Sequence, residues 1–338
     1  MKNKRIKKLD IIDYSGFNPK PGAIETMKRN NYYVQTDISM TGDAPKDFIR
    51  YYHYGENIKS NKKTWNQYIA KLGHKHYPNE SITEYLLNRI GESLGFNMAK
   101  FKLVWAGEQI RFLSKYFLTK TNEQVLEHGA DLYAGYLNDK DFVEDIEKSH
   151  KSPDFFTVQF TEETIKYFFP KQCEELMFDF LKVLIFDAFI GNNDRHFYNW
   201  GIIRNIYKKE EPTFSPVYDT ARGLYWNYNE QKIKAIYEDK NRLYSHIEKY
   251  SNESRPKIGW EGEPKINHFK LLEKICTLDV INNCGIVKDI IKEDKLGIIL
   301  DMIDKEFSLL FSKTRREMIK LTLQYRFKHI EKSINFAV

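Results

Sequence analysis

Two stretches hold the residue types best suited to chemistry: Gly191-Asn-Asn-Asp194-Arg195-His196-Phe-Tyr-Asn199-Trp200 and Phe214-Ser-Pro-Val-Tyr218-Asp219. An acid, an amide five residues later and a second acid at the end of a short apolar run form a set suited to phosphoryl transfer. That reaction needs positioning and charge neutralisation more than covalent help. One carboxylate accepts the proton of the attacking hydroxyl, a role that suits Asp194. An amide and a second carboxylate offer the oxygen ligands that Mg²⁺ prefers, which suits Asn199 and Asp219. The competing explanation is a polar turn in which Asn192, Asn193 and Asp194 satisfy backbone donors. Asp-Arg-His-x-x-Asn should arise by chance roughly once in a thousand chains of this length, which makes the turn the weaker explanation.

Such a loop must be held by rigid elements. Before it, Gln172 to Ile190 is apolar on nearly every side in its second half, the pattern of a helix buried within a lobe. After it, Trp200–Arg204 and Phe214–Tyr218 are short strand candidates. The first third is strand-rich: Tyr32–Ile38, Asp47–Tyr54, Trp65–Leu72, Phe101–Ala106 and Gln109–Tyr116, separated by Gly, Asn, Asp and Lys clusters. Ser81-Ile-Thr-Glu84 opens one helix in a capping-box pattern, and Gly95 ends it. Phe269–Leu278, Leu296–Phe311 and Lys313–Ile334 have helical spacing. Tyr225 to Pro264 has no clear period and is expected as a long loop or a poorly ordered segment.

Phosphoryl transfer also calls for a strand lysine on the phosphates and a helix acid that orients it. Tyr68-Ile-Ala-Lys71 is an apolar run ending in lysine, and Glu84 lies in the helix that follows, though a capping box alone would explain Glu84. Ser39 to Lys46 lies between two strand candidates. There Gly42 would let backbone amides approach phosphate oxygens and Lys46 would add charge, or Thr41-Gly42-Asp43 is an ordinary hairpin turn. His196 either contacts phosphate or braces the loop, with bracing favoured. Arg195 would pair with Asp194 or Asp187 or face phosphate, and Asp187 needs a partner if buried.

The 338 residues, 41% hydrophobic and 15% aromatic, allow about two compact units and argue against disorder. The most apolar stretch, Leu181 to Ile190, is interrupted by Lys182 and Asp187, so no membrane span is expected. Met1–Lys8 is basic but is followed by Leu9-Asp10-Ile11-Ile12-Asp13 and not by an apolar run, so no secretory leader is expected. Three cysteines without a CxxC pair exclude a disulfide framework and a cysteine zinc site, and suit a cytoplasmic setting. The 53 basic and 47 acidic groups are interspersed, so nucleic acid is not expected as a direct partner.

Gly191-Asn-Asn-Asp-Arg-His with Asn199, and Ser215-Pro-Val-Tyr-Asp219, resemble the catalytic and metal-binding segments of HipA-like serine/threonine protein kinases. Asn199-Trp-Gly-Ile and Lys265-Ile-Asn-His-Phe-Lys-Leu-Leu are closer to the family's cell-translocating kinases than to its toxins. The resemblance spans residues 37 to 275 and is strongest at the loop. It implies an α+β, bilobal protein-kinase-like fold. Residues 1–118 would form an N-terminal antiparallel sheet lobe with one helix, and 119–338 a larger, mainly helical lobe. It implies ATP and Mg²⁺ in the cleft, Asp194 and His196 in catalysis, Asn199 and Asp219 as metal ligands, and Lys71, Glu84, Ser39, Gly42, Lys46, Ser114 and Tyr116 around the nucleotide. It also implies a protein substrate phosphorylated on Ser or Thr, autophosphorylation at the Ser39 position, and a toxin restrained by an antitoxin partner. Two departures stand out: Lys115-Tyr116-Phe117 replaces the family's Arg-Phe-Asp type sequence, and Asp219 is followed by Thr220-Ala221-Arg222-Gly223 and not by the Phe-Gly of eukaryotic kinases, which the HipA-like pattern does not require. The rivals are a small-molecule or lipid kinase, since phosphoinositide kinases use a similar loop, and a nucleotide-binding pseudokinase acting as a scaffold.

Overall fold

The structure, a computed structural model, describes residues 4–38, 45–118, 123–207, 209–279, 290 and 292–336. Ser39 and Gly42, expected in a phosphate loop, lie outside the described residues.

Six strands form the first sheet: β1 (Glu25–Thr26), β2 (Tyr32–Val34), β3 (Lys46–Tyr51), β4 (Asn66–Leu72), β5 (Phe101–Ala106) and β6 (Gln109–Lys115). Their spatial order is β1-β5-β6-β4-β3-β2, antiparallel throughout except for the short parallel β1–β5 pair, which the sequence did not announce. Side chains alternate across a sheet, so each strand serves two surfaces. Ile49, Tyr68, Ala70, Val104 and Leu113 bury one face beneath Ile6 and Met27. The register sets Lys46 opposite Lys71, Phe48 opposite Ile69, Lys71 opposite Phe112 and Ile69 opposite Ser114, so these residues share the other face. Helix α1 (Glu80–Leu94) packs against β5 and β6 and ends at Gly95. That glycine sits at φ +89°, which an L side chain would resist. The helix starts one residue before the expected box. Asn79 is the N-cap and makes no side-chain capping bond, so the capping-box explanation of Glu84 fails.

The remainder is mainly helical. β7 (Gln124–His128) pairs with β8 (Gly201–Asn205), and β8 with β9 (Thr213–Phe214). The expected strand Phe214–Tyr218 stops early because Pro216 has no N–H to donate to a ladder. Val217 instead exchanges backbone hydrogen bonds with Asn97 and Ala99, tying this segment to the chain just before β5. Helices α2 (Gly129–Leu137), α3 (Lys140–Lys148), α4 (Ser152–Phe155) and α5 (Val158–Phe168) lead into α6 (Cys173–Ile190). Phe180, Leu181, Leu184, Ile185, Phe186 and Phe189 bury α6 on all sides in the main core, as its sequence implied.

The segment expected as loop or disorder, 225–264, instead carries α7 (Glu230–Tyr237) and α8 (Lys240–Glu253). Asn229 and Asp239 cap them by accepting from the amides of Lys232 and Arg242, and Ile233, Ile236, Leu243 and Ile247 face the core. Each helix buries only two aliphatic residues and the second cap stands between them, which hid the period. Helices α9 (His268–Ile275), α10 (Glu293–Glu306) and α11 (Lys313–Phe336) complete the chain, with α11 packed on α6, α7, α8 and α9. Among the described residues, no helix is long and apolar enough to cross a membrane.

Candidate active site

Lys71 occupies the cleft-facing side of β4, opposite in phase to the core residues Ala70 and Leu72. Its Nζ donates to Glu84 Oε1 at 2.9 Å and to Asp219 Oδ1 at 2.7 Å, joining strand, helix α1 and the second acidic segment. Phe112 lies beneath the ammonium, 5.7 Å from ring centroid to nitrogen. Burial alone would lower the lysine, but the two carboxylates more than reverse this and hold it charged. For Asp219, burial works upward and is outweighed by Lys71 and Lys46, which hold the carboxyl well below its usual range. Burial pushes Glu84 up, to about 7, against the pull of Lys71.

The catalytic-loop candidates are fixed from behind. Arg195 is fully buried and spends all five N–H groups. Nε and Nη2 hold Asp187 at 2.8 and 3.1 Å, Nη1 donates to the carbonyls of Asn199 and Tyr218 at 2.6 and 2.8 Å, and Nη2 also donates to Thr220 Oγ1 at 3.0 Å. Asn192 Nδ2 completes Asp187 at 2.9 Å. The alternatives left open for Arg195 therefore resolve: it pairs with Asp187 and has no donor left for phosphate. It fastens the Asn199 backbone and the Tyr218–Thr220 backbone to the end of α6, which brings the two distant segments together. Gly191 ends α6 at φ +66°, with the Arg326 guanidinium 3.2 Å from where a Cβ would stand.

Asp194 is mostly buried. Its backbone carbonyl accepts from Asn199 Nδ2 at 2.7 Å and from the His196 amide at 2.9 Å. With the NH₂ group so committed, what Asn199 can offer a cation is its oxygen. The Asp194 carboxylate lies 3.4 Å from Arg222 Nε, which is also 3.6 Å from Glu80 on α1. Burial pushes Asp194 up to about 6, a rise that Arg222 and Lys257 restrain. His196 accepts from the Tyr198 amide through Nδ1 at 3.3 Å, in keeping with the bracing role. His128 meets the Tyr218 hydroxyl at 2.8 Å, and that hydroxyl donates to the Tyr198 carbonyl at 3.2 Å, stiffening the approach to Asp219.

Ser114 is buried on the same sheet face as Lys71. The Tyr116 amide is spent on the Gln67 carbonyl at 2.9 Å, so it is not free for adenine. The Tyr116 ring lies edge-on to Phe48 at 5.3 Å and Phe117 lies 5.7 Å from Tyr218, forming an aromatic wall between sheet and loop. Glu80, Arg222, Thr220 and His128 went unassigned in the sequence. Only Glu80 carried a signal there, as an acid one helical turn ahead of Glu84.

Among the described residues, no group of three or more His, Cys, Asp or Glu could hold a metal. The side-chain oxygens of Asn199 and Asp219 are of the kind Mg²⁺ takes, one or two from protein with phosphate oxygens and water.

A model of the HipA-like C-terminal domain matches residues 38–277. The serine/threonine-protein kinase CtkA of Helicobacter pylori (strain J99) is 24% identical over 272 residues, covering 75% of this chain and 78% of that protein. The crystal structure of an H. pylori proinflammatory kinase CtkA superposes with a TM-score of 0.68 at 18% identity, covering 93% of this chain and 98% of that one. A Shewanella oneidensis MR-1 toxin–antitoxin complex of HipA, HipB and operator DNA gives a TM-score of 0.46 at 14% identity, covering 89% and 66%. The curled sheet, the helical region and the superposition on CtkA together make this a bilobal kinase-like fold. With its family match running over well more than half its length, the chain belongs to the HipA-like C-terminal domain family.

Proposed function

We propose that the protein is an ATP- and Mg²⁺-dependent serine/threonine protein kinase. The observation that carries this is Lys71 joined to both Glu84 and Asp219, beside a loop that presents Asp194 and Asn199. A scaffold has no chemical need for that set. The two lobes are proposed to meet near Leu118.

In the proposed reaction an acceptor hydroxyl attacks the γ-phosphorus of ATP, the bond to the β-phosphate oxygen breaks, and ADP leaves. Asp194 orients the hydroxyl and takes its proton. A carboxyl raised to about 6 is a stronger base than an exposed one yet ionised at neutral pH. Lys71, kept charged by its two partners, anchors phosphate oxygens, and Glu84 fixes its direction. Mg²⁺, when bound by Asn199 Oδ1 and Asp219, would neutralise phosphate charge. Ser114, Tyr116 and the Phe48 ring would wall the adenine side, with Lys46 opposite Lys71 adding positive charge at the phosphates.

Purified protein with labelled ATP and Mg²⁺ should label itself or a generic protein on Ser or Thr, and Asp194→Ala should abolish the label while nucleotide still binds. Nucleotide binding without any transfer would sink the kinase reading. Autophosphorylation at Ser39 belongs to the same proposal and is read by mass spectrometry of the freshly expressed protein. A toxin role with an antitoxin partner is tested by growth on expression with and without the adjacent genes.

A further inference from the structure

The segment that leaves α8 runs directly behind the loop bearing Asp194. Ser254 Oγ donates to Asn193 Oδ1 at 2.7 Å, and the Arg255 amide donates to the same oxygen at 3.2 Å. From the other side the Asn193 amide donates to the Arg222 carbonyl at 3.0 Å. Two basic residues are thus attached through their backbones to the neighbour of the proposed base. Beyond Arg255 the segment alternates: Pro256 and Ile258 are buried, whereas Arg255 is exposed and Lys257 half-buried, the period of an extended chain. Gly259 holds its far end, exchanging backbone hydrogen bonds with Phe156 and Val158, and its Cα faces the Pro153 carbonyl where no Cβ would fit. The segment is therefore a fixed ledge with its cationic side outward.

The charge on this ledge reaches the site. Burial raises Asp194 and lowers His196, the Lys257 charge pulls both downward, and Arg222 Nε lies 3.4 Å from Asp194. Three acids stand nearby: Asp219, whose charge raises Asp194, Glu80, which shares Arg222, and Glu147, which accepts from Ser152 Oγ at 3.2 Å. On the sheet side of Asp194, Lys71 is spent on two carboxylates; on the ledge side the Lys257 charge acts on Asp194, Arg222 reaches it at 3.4 Å, and Arg255 stands exposed two residues before Lys257. An acceptor hydroxyl that reaches Asp194 carries its chain neighbours at 3.8 Å Cα spacing past this rim.

We propose that residues 254–260, with Arg222, form the acceptor-binding ledge, and that Arg255 and Lys257 select a protein segment whose Ser or Thr is flanked by Asp or Glu. This rests on the kinase reading for its role, but the binding preference can be measured without turnover.

Two fluorescent peptides with the same Ser core, one flanked by Glu and Asp and the other by Lys and Arg, are titrated with the full chain and followed by anisotropy at low and physiological salt. The acidic peptide should bind at least about tenfold more tightly at low salt, with the gap narrowing as salt rises. Lys257→Glu and, as a second variant at an exposed position, Arg255→Glu should each erase or invert the preference, with circular dichroism checking that both, the half-buried Lys257 site included, are folded. Equal binding of the two peptides, no measurable binding of the acidic one, or a preference unchanged in both variants would overturn the proposal. Tighter retention by phosphoinositide vesicles than by the acidic peptide would overturn it in favour of a lipid acceptor. Phosphate transfer, assayed in parallel, reports on the kinase reading separately.

Discussion

Lys71 Nζ and Asp219 Oδ1 meet at 2.7 Å although 148 residues separate them in the chain. The contact joins the strand lobe to the acidic segment after the loop, and Glu84 shares the same ammonium. Lys71→Met should remove transfer activity by a hundredfold or more, because a positioned cation is lost where phosphate charge must be held. It should also destabilise the fold, since Glu84 is left as a buried acid without its cation, at a cost of about 3 kcal/mol. The Asp219 side chain, 38% exposed, is screened and adds less. Adding Glu84→Gln to Lys71→Met should restore much of the stability in urea melts and none of the activity. A double variant as unstable as the single would show that the ammonium does not serve Glu84.

Asp194 gives a pH-dependent prediction of defined sign. Burial raises it from 3.8 to about 6, so between those values the folded state binds a proton that the unfolded state does not. Stability therefore falls as pH rises through this window, by about 3 kcal/mol in all for a shift of roughly two units. Asp194→Asn has no such titration. It should match the wild type near pH 4, exceed it by up to that amount at pH 7, and be inactive at both. In the wild type, kcat/KM should fall below about pH 6 as the base takes up its proton. Denaturant melts across pH 4 to 8, set beside a pH–rate profile, check both halves.

Arg195 should prove structural, not phosphate-binding. Its five hydrogen bonds all point inward, so Arg195→Lys keeps the charge but cannot reproduce the fork, and it strands the Asn199 and Tyr218 carbonyls. A loss of about 3–5 kcal/mol is expected for Arg195→Met, which leaves Asp187 fully buried and unpaired. Any fall in nucleotide affinity in the Lys variant should come with a fall in stability, because it acts through the loosened Asn199 and Tyr218 backbones. A selective fall in ATP affinity with stability intact would contradict this assignment.

Legibility in the sequence followed how local each signal was. The α6 apolar run, the strand ending at Lys71 and the loop from Gly191 to Asn199 are written in neighbouring residues, and all were readable. Whether Arg195 turns to Asp187 or to phosphate depends on Thr220 and the Tyr218 carbonyl, more than twenty residues away, and could not be read. Glu84 looked like a cap because Ser81 stands three residues ahead of it; only the tertiary approach of Lys71 shows its use. Helices α7 and α8 were missed because two buried aliphatic residues in each, with a cap between the helices, leave no sustained period. Arg222 gave no warning at all, since its partners Glu80 and Asp194 come from opposite sides of the cleft.

Gly191 links the buried helix to the chemistry, and its substitution tests that link. Its φ of +66° costs an L side chain about 1 kcal/mol, and a Cβ would stand 3.2 Å from the Arg326 guanidinium carbon. Arg326 is itself fully buried, donating through Nε to the Ala188 carbonyl at 2.8 Å and through Nη1 to the Ser251 carbonyl at 3.2 Å. It therefore holds the ends of α6 and α8, between which the loop and the basic ledge diverge. Gly191→Ala must either strain the backbone or push Arg326 from these carbonyls, and about 1–3 kcal/mol of stability should be lost. Because Asp194 is only three residues on, kcat should fall more than ATP affinity does. Thermal melts with steady-state kinetics decide this: a variant that loses stability but keeps full kcat would show that the loop is held by Arg195 alone.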